Sequence, residues 1–155
     1  MRQTGIQQAV YNALIGNPYV SDLVDGRIYD NVPQGTDYPY IVIGDDTTIP
    51  WDTDTETGSE STLTLHVWSR YYGRYEVKAI MEAIYTTLHR REGEDSQQGG
   101  LTVISHSMVI NGVTVQVPEA HVVLCEHEFS ESFLDPDGIT RHGVIRFRIV
   151  LGYNE

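Results

Sequence analysis

WDTDTETGSESTLTLHVWSRYYGRYEVKAIMEAIYTTL, residues 51–88, contains in order an acidic loop, an alternating strand, an aromatic turn and an amphipathic helix. In the strand, Leu63, Leu65 and Val67 point to one face and the residues between them point to the other. This two-residue period is typical of a half-buried strand. We therefore predict that one face of the strand lies in the core.

The helix that follows has six apolar residues at spacings of three and one, which places them on a single stripe. They are Val77, Ile80, Met81, Ile84, Tyr85 and Leu88. We predict that this stripe packs on the sheet. The connection before the helix, SRYYGR, has two adjacent tyrosines flanked by arginines, and these rings need a partner or a pocket.

Ahead of this stretch, the pattern predicts an amphipathic helix over residues 2–15, a small strand around Ile28 and Tyr29, and a compact apolar strand over residues 38–46. The alternation of the last strand is blurred, as expected if both of its faces are covered. We therefore expect it at the centre of the sheet. The polar composition of residues 49–61 predicts a loop.

The C-terminal half is predicted to be rich in hairpins. A polar stretch over residues 91–100 is expected to be mobile, and Asn111-Gly112 predicts a tight turn. A last hairpin joins residues 121–133 to residues 141–151 through the DPDGIT turn. Since neighbouring strands are mostly joined by hairpin-length turns, we predict an α+β fold with a mostly antiparallel sheet packed by two main helices.

The composition limits what the chain can do. Its 155 residues fit a single domain spanning residues 1–155, and such a domain buries roughly 70% of its unfolded surface. The formal net charge of −12 argues against a grip on nucleic acid, which relies on lysine and arginine. Ten tyrosines against three phenylalanines favour rings that meet water or a partner. The single cysteine fits a reducing compartment, and no apolar run is long enough to span a membrane, so we expect synthesis in the cytoplasm.

No motif for catalysis or metal binding stands out. The sequence has no nucleophile elbow, zinc-protease helix, P-loop or dinucleotide-binding glycine pattern. His121, Cys125 and His127 share one predicted strand and one face of it, but their spacing matches no zinc signature. The acidic run over residues 52–56 lacks the spacing of a calcium loop, because Thr57 and Leu63 stand where that loop needs its glycine and its last glutamate. We therefore expect no enzyme activity, no catalytic residue, no metal and no cofactor.

Three blocks of the sequence carry a resemblance to a known family. They are RIYDNVPQGTDYPYIVIGDD at residues 27–46, TETGSESTLTLHVWSRYYGRYEVKAIMEAIY at residues 55–85 and LDPDGITRHGVIRFR at residues 134–148. In this order and at these distances they span nearly the whole chain. The chain resembles the phage tail-completion family, also described as tail terminator or head-tail joining proteins of siphophages, prophages and gene transfer agents.

The resemblance implies a structural virion protein that forms a hexameric ring at the head-proximal end of the tail tube. There it would end tail polymerisation and join the tail to the head connector. Its partners would be copies of itself, the tail tube protein and the connector or adaptor proteins of the head, with no membrane involved. Genomic DNA would pass through an acidic lumen without specific binding. A head-closure adaptor or a minor tail-tube protein of the same particle stays open as an alternative, and a small hydrolase or metal-binding protein as an outside one.

Six residues are candidates for subunit interfaces: Trp51, Tyr71, Tyr72, Arg74, Arg141 and His142. The turn residues among them either pack against a neighbouring subunit or cover the end of the helix. Trp51 is either a plug on the sheet or an interface anchor. Arg141 and His142 either reach an acidic neighbouring subunit or brace their own hairpin.

Overall fold

Seven strands and three helices are present in the computed structural model, which describes residues 2–90 and 100–153. In chain order they are α1 (Thr4–Ile15), α2 (Pro18–Ser21), β1 (Ile28–Tyr29), β2 (Tyr40–Pro50), β3 (Thr57–Ser69), α3 (Tyr75–Leu88), β4 (His106–Ile110), β5 (Val113–Val117), β6 (His121–Leu134) and β7 (Arg141–Tyr153). The predicted α+β class is confirmed, and α1 and α3 are the two main helices.

A five-stranded sheet of order β1-β2-β3-β7-β6 forms the body of the described chain. Its strand pairs are antiparallel, except that β1 runs parallel to β2. The prediction that residues 38–46 form the central strand is wrong, because β3 is central and β2 has only the two-residue β1 on its outer side. The alternation of β2 is blurred because Tyr40 and Val42 are half-buried on the face away from the helices.

The core lies between the other face of this sheet and the helices α1 and α3. Leu63, Leu65 and Val67 of β3 are 2%, 0% and 0% exposed, as their alternation predicts. The predicted apolar stripe of α3 packs against β3, β6 and β7. Tyr85 is 40% exposed at the margin of this stripe and packs edge-on against His127 of β6, with ring centroids 5.2 Å apart. Its ring also stacks on His89, with ring centroids 4.6 Å apart.

The stretch over residues 49–61 is mostly strand, not the predicted loop. β2 continues to Pro50 and β3 begins at Thr57, so only residues 51–56 connect the two strands. The sheet accommodates these polar side chains because they form hydrogen bonds with one another and with polar groups on neighbouring strands. The hydroxyls of Thr48 and Ser61 lie 2.9 Å apart across the strands, and buried Ser59 meets the Tyr153 hydroxyl at 2.7 Å.

Both predicted C-terminal hairpins are confirmed. β4 and β5 form a separate two-stranded sheet, and at its turn Asn111 and Gly112 have φ angles of 51° and 78°. A type I′ turn needs this pair of left-handed conformations. β6 and β7 form the last hairpin across the DPDGIT turn. Of the stretch predicted to be mobile, residues 91–99 lie outside the described part of the chain.

Candidate interaction surfaces

An aromatic turn, residues 70–75, connects β3 to α3 and projects three rings from the surface. The rings belong to Tyr71, Tyr72 and Tyr75, which are 55%, 97% and 81% exposed. The hydroxyl of Ser69 holds the turn in place, because it accepts from the Tyr71 N–H at 3.1 Å and donates to Glu76 Oε1 at 2.7 Å. A partner therefore meets these rings on a backbone that is already ordered, which reduces the entropy cost of binding.

Beside the aromatic turn, four rings pack together on the face of the sheet away from the helices. They belong to His66, Trp68, Phe133 and His142. His142 stacks on Trp68 with ring centroids 3.8 Å apart, and its Nε2 lies 2.8 Å from His66 Nδ1. Burial lowers the pKa of both histidines below the ordinary value of 6.5, and the nearby charge of His66 lowers the pKa of His142 further. Because His142 contacts Trp68 and His66 of its own sheet, the structure favours the interpretation that this residue braces its own hairpin.

The register of the sheet brings five of the six predicted interface residues to one end. Arg141 lies opposite Ser69, and His142 lies opposite Trp68, so both are next to the aromatic turn with Tyr71, Tyr72 and Arg74. We call this the aromatic end of the sheet. Arg74 and Arg141 make no ion pair within the described residues. Their charges are therefore available to an acidic partner.

Trp51 lies at the opposite end of the sheet, which we call the acidic end because Asp52 and Asp54 are exposed there. The 13 residues of β3 separate the two ends, a distance of about 40 Å. The Trp51 N–H donates to the Gly58 carbonyl at 2.9 Å, and the indole ring covers the glycine so closely that a Cβ on Gly58 would lie 2.7 Å from Trp51 Cε3. This contact is the one expected if Trp51 is a plug on the sheet of its own subunit.

The histidines and the cysteine of β6 do not converge. A β-bulge between Val122 and Leu124 breaks the alternation that would place His121 on the same face as Cys125 and His127. Cys125 points into the core, and burial raises its pKa to about 12. His121 lies 3.2 Å from a Glu56 carboxylate oxygen, and His127 lies 2.7 Å from the Ser130 hydroxyl. In the part of the chain that the structure describes, no group of three or more His, Cys, Asp or Glu side chains is placed to hold a metal ion.

Two surface features are missing from the predictions made from sequence. The β4–β5 hairpin has exposed apolar side chains along most of its length. A groove of about 450 Å³ runs between α3 and β6, with Met81 and Tyr85 on one side and His127, Ser130 and Ser132 on the other. The hairpin does have a signal in the sequence, because residues 101–118 contain no Asp, Glu, Lys or Arg. The groove has none, since it depends on how the helix crosses the sheet.

Similar proteins identify the family. The family model described as Tail completion protein gp17 matches residues 8–152. The chain belongs to this family. Tail completion protein gp17 of Bacillus phage SPP1 is 28% identical over 118 residues, which cover 76% of this chain and 70% of that protein. A chain of the virion of a native gene transfer agent particle has the same fold, with a TM-score of 0.68 and 18% identity, covering 96% of this chain and 95% of that one.

Membership of the tail completion family confirms the resemblance found in the sequence. This tail completion protein is a structural component of a phage-type tail, located in the virion, and not an enzyme. No helix within the described residues has the length and apolar character needed to cross a membrane. The aromatic turn, the β4–β5 hairpin and the α3–β6 groove are therefore candidate surfaces for contacts with other components of the particle.

Proposed function

We propose that the protein forms a ring at the head-proximal end of the tail tube, where it ends tube polymerisation and joins the tail to the head connector. The observation that carries this proposal is the aromatic turn. Tyr72 is 97% exposed on an ordered backbone, next to Arg74 and Arg141, which have no ion pair within the described residues. Tyrosine and arginine are among the residues that contribute most to binding at protein interfaces. In a structural tail protein such a surface serves assembly.

The unlike ends of the sheet favour contacts of the kind that close a ring. Arg74 and Arg141 lie at the aromatic end, and exposed Asp52 and Asp54 lie at the acidic end. The aromatic end also holds Asp135 and Asp137 of the DPDGIT turn, and Asp137 lies 3.9 Å from Arg70. A contact between two different patches of identical subunits is heterologous, and repeated heterologous contacts form a ring when the rotation closes. Attraction between Arg74 or Arg141 of one copy and Asp52 or Asp54 of the next guides their encounter. We infer a closed ring of copies, with six as the number that the family resemblance implies.

The acidic character of the chain suits a channel for DNA. Each copy has a formal net charge of −12, which a ring multiplies by its number of subunits. Where part of this charge faces a lumen, it repels DNA phosphates over about 10 Å at 0.1 M salt. The genome would then pass the ring without specific binding. A ring with a basic channel would contradict this part of the proposal.

Deleting the gene from a strain that produces the particles tests the role directly. We expect overlong tails without heads in negative-stain electron microscopy, because nothing ends tube growth or prepares the tail for the connector. Tails of normal length joined to filled heads would overturn the proposal. Two other results identify the alternatives. Purified protein that polymerises into long tubes is a minor tube subunit, and normal tails that merely fail to join heads point to a head-closure adaptor.

A single substitution tests the aromatic turn. We expect Tyr72→Ala to abolish ring assembly and to leave the melting temperature unchanged, because this side chain contacts almost nothing in the free subunit. An interface hot spot contributes about 2 kcal/mol or more, which weakens each subunit contact roughly 30-fold. Tyr19→Ala is the matched control, since Tyr19 is 63% exposed but lies on α2, near the other end of α3. Sedimentation velocity and binding to tails from the deletion strain measure the result. Equal assembly of both variants would remove the turn from the interface.

A further inference from the structure

The β4–β5 hairpin is a ribbon with one apolar face that no other part of residues 2–90 and 100–153 covers. Residues paired across the two strands place Met108, Ile110, Val113 and Val115 on the same face. Met108, Ile110 and Val113 are 39%, 50% and 62% exposed. An isolated two-stranded hairpin is at best marginally stable in water. The apolar face therefore needs a covering surface from another molecule.

The base of the hairpin, by contrast, is fixed to the body of the subunit. Val117 is 1% exposed and Val103 is 5% exposed. Both lie against α1 at Gly5, where an added Cβ would come within 2.7 Å of Val103 and 3.5 Å of Val117. The backbone of Val103 also forms a bridge with Ala120, just before β6. Among the described residues, the outer part of the ribbon has no partner, and the base holds it in a defined direction.

The hairpin carries no formal charge, although the chain as a whole is strongly acidic. No Asp, Glu, Lys or Arg occurs over residues 101–118, whereas charged residues make up 21% of the protein. Exposed strand edges in soluble proteins usually carry charges or prolines that prevent pairing with other chains. The absence of charged residues and proline from β4 and β5 indicates that these strands pair with another strand. It also fits a second copy as the partner, because an uncharged arm can approach another acidic subunit without charge repulsion.

The same chain offers an unpaired strand edge with a groove beside it at the far half of β6. β6 is an edge strand, and beyond His127 its outer edge pairs with no other strand of the described chain. Along this edge runs the groove between β6 and α3, where Met81 and Tyr85 supply apolar surface and Ser130 and Ser132 lie on the strand. The charged side chains of Lys78, Glu82 and Glu131 also line the groove. An added strand can bond to such an edge through its backbone while its side chains enter the groove.

We propose that the β4–β5 hairpin of one copy docks in the α3–β6 groove of the next copy around the ring, extending its sheet at the edge of β6. Within one subunit the two surfaces cannot meet. The hairpin is anchored at Ala120, and Ser130 is ten positions further along β6, about 33 Å for an extended strand. Each strand of the hairpin has only five residues, about 17 Å. The contact is therefore heterologous, and it rests on the ring that is proposed above.

Matched charge insertions on the two faces of the hairpin test this contact. Ile110→Asp places a carboxylate on the apolar face, and Thr114→Asp places the same charge on the opposite face of the same ribbon. We expect Ile110→Asp to raise the protein concentration needed for ring assembly at least about tenfold, and Thr114→Asp to change it less than about twofold. Both positions are exposed, so the melting temperatures of the free subunits should match the wild type. Equal effects of the two variants on assembly would overturn the docking.

Cross-linking of the full chain identifies the partner surface. The double variant Val113→Cys/Ser130→Cys should give a ladder of covalent oligomers under oxidation, because each copy then carries one donor and one acceptor. The single variant Val113→Cys should remain uncoupled. Dimers of that single variant would show hairpins pairing with each other and would overturn the proposal.

The two proposals fail in different ways. Rings that tolerate Ile110→Asp but not Tyr72→Ala would overturn the hairpin contact and leave the ring in place. Wild-type protein that forms no closed species, even on tail ends, would overturn both.

Discussion

The acidic end of the sheet is closed by a contact that a single methyl group should disrupt. Gly58 is buried in β3, and an added Cβ there would lie 2.2 Å from the Trp51 carbonyl oxygen and 2.8 Å from the Leu151 carbonyl oxygen. Both are backbone atoms, one in the residue that directly follows β2 and the other in β7, so neither can rotate away. Gly58→Ala therefore has to push β2 and β7 away from β3 at this point.

The expected cost follows from the contacts that are lost. Overpacking of this kind costs about 1–3 kcal/mol, and separating the strands weakens the Trp51 N–H bond to Gly58, worth about 1 kcal/mol. The lower entropy of the unfolded alanine variant offsets about 0.4–1 kcal/mol. We expect a net loss of about 2–3 kcal/mol in the free energy of unfolding.

Gly143→Ala is the matched control, because Gly143 is also buried in a strand of the same sheet. There the added Cβ would lie 2.9 Å from Met81 Sδ and 2.9 Å from Val77 Cγ2. These are side-chain atoms; the flexible Met81 thioether can move, whereas the branched Val77 side chain has less freedom, so we expect a loss of about 1 kcal/mol.

Urea titration and thermal melting of the two variants measure the difference. For a domain of this size 1 kcal/mol corresponds to roughly 2–4 °C, so Gly58→Ala should melt several degrees below Gly143→Ala. If Gly58→Ala were as stable as Gly143→Ala, the reasoning about backbone contact would be refuted.

Two further predictions concern the sheet. Phe147→Ala should cost about 3–5 kcal/mol in urea, because the ring is 0% exposed in the core, whereas Phe133→Ala, at a ring 38% exposed, should cost far less; equal costs would contradict the core assignment. Burial keeps His66 and His142 neutral by lowering their pKa values below 6.5, so their contribution to stability is complete above pH 6.5 and is lost as the pH falls through the lowered values. The double variant His66→Gln/His142→Gln should lose less stability than the wild type between about pH 7.5 and 5, measured by urea titration at each pH; an unchanged slope would contradict it.

Much of the fold follows from local patterns. The alternation of Leu63, Leu65 and Val67 and the Asn111-Gly112 turn each depend on a few neighbouring residues, and both predictions are confirmed. The order of the strands does not follow from such patterns, because the position of β2 depends on which distant strand pairs with it. The prediction of a loop over residues 49–61 is wrong for a related reason. Their hydroxyl groups are satisfied by partners from β2 and β7 that are far away in sequence.

The candidate surfaces divide in the same way. Two adjacent tyrosines in a short polar connection predict an exposed aromatic turn from sequence, and Tyr72 is almost fully exposed. Tyr72 lies near Arg141 only because Ser69 pairs with Arg141 in the sheet. The α3–β6 groove arises only from tertiary packing, and no spacing of residues in the sequence predicts it.

The buried position of Cys125 makes the protein convenient to label. It is the single cysteine of the chain, it is 0% exposed, and its raised pKa keeps it in the unreactive thiol form. A maleimide dye should therefore leave the folded wild type unmodified and react with one cysteine introduced on the surface, for example at Tyr19. Stepwise photobleaching of such a variant on isolated particles then counts the copies in each particle, without a wild-type background.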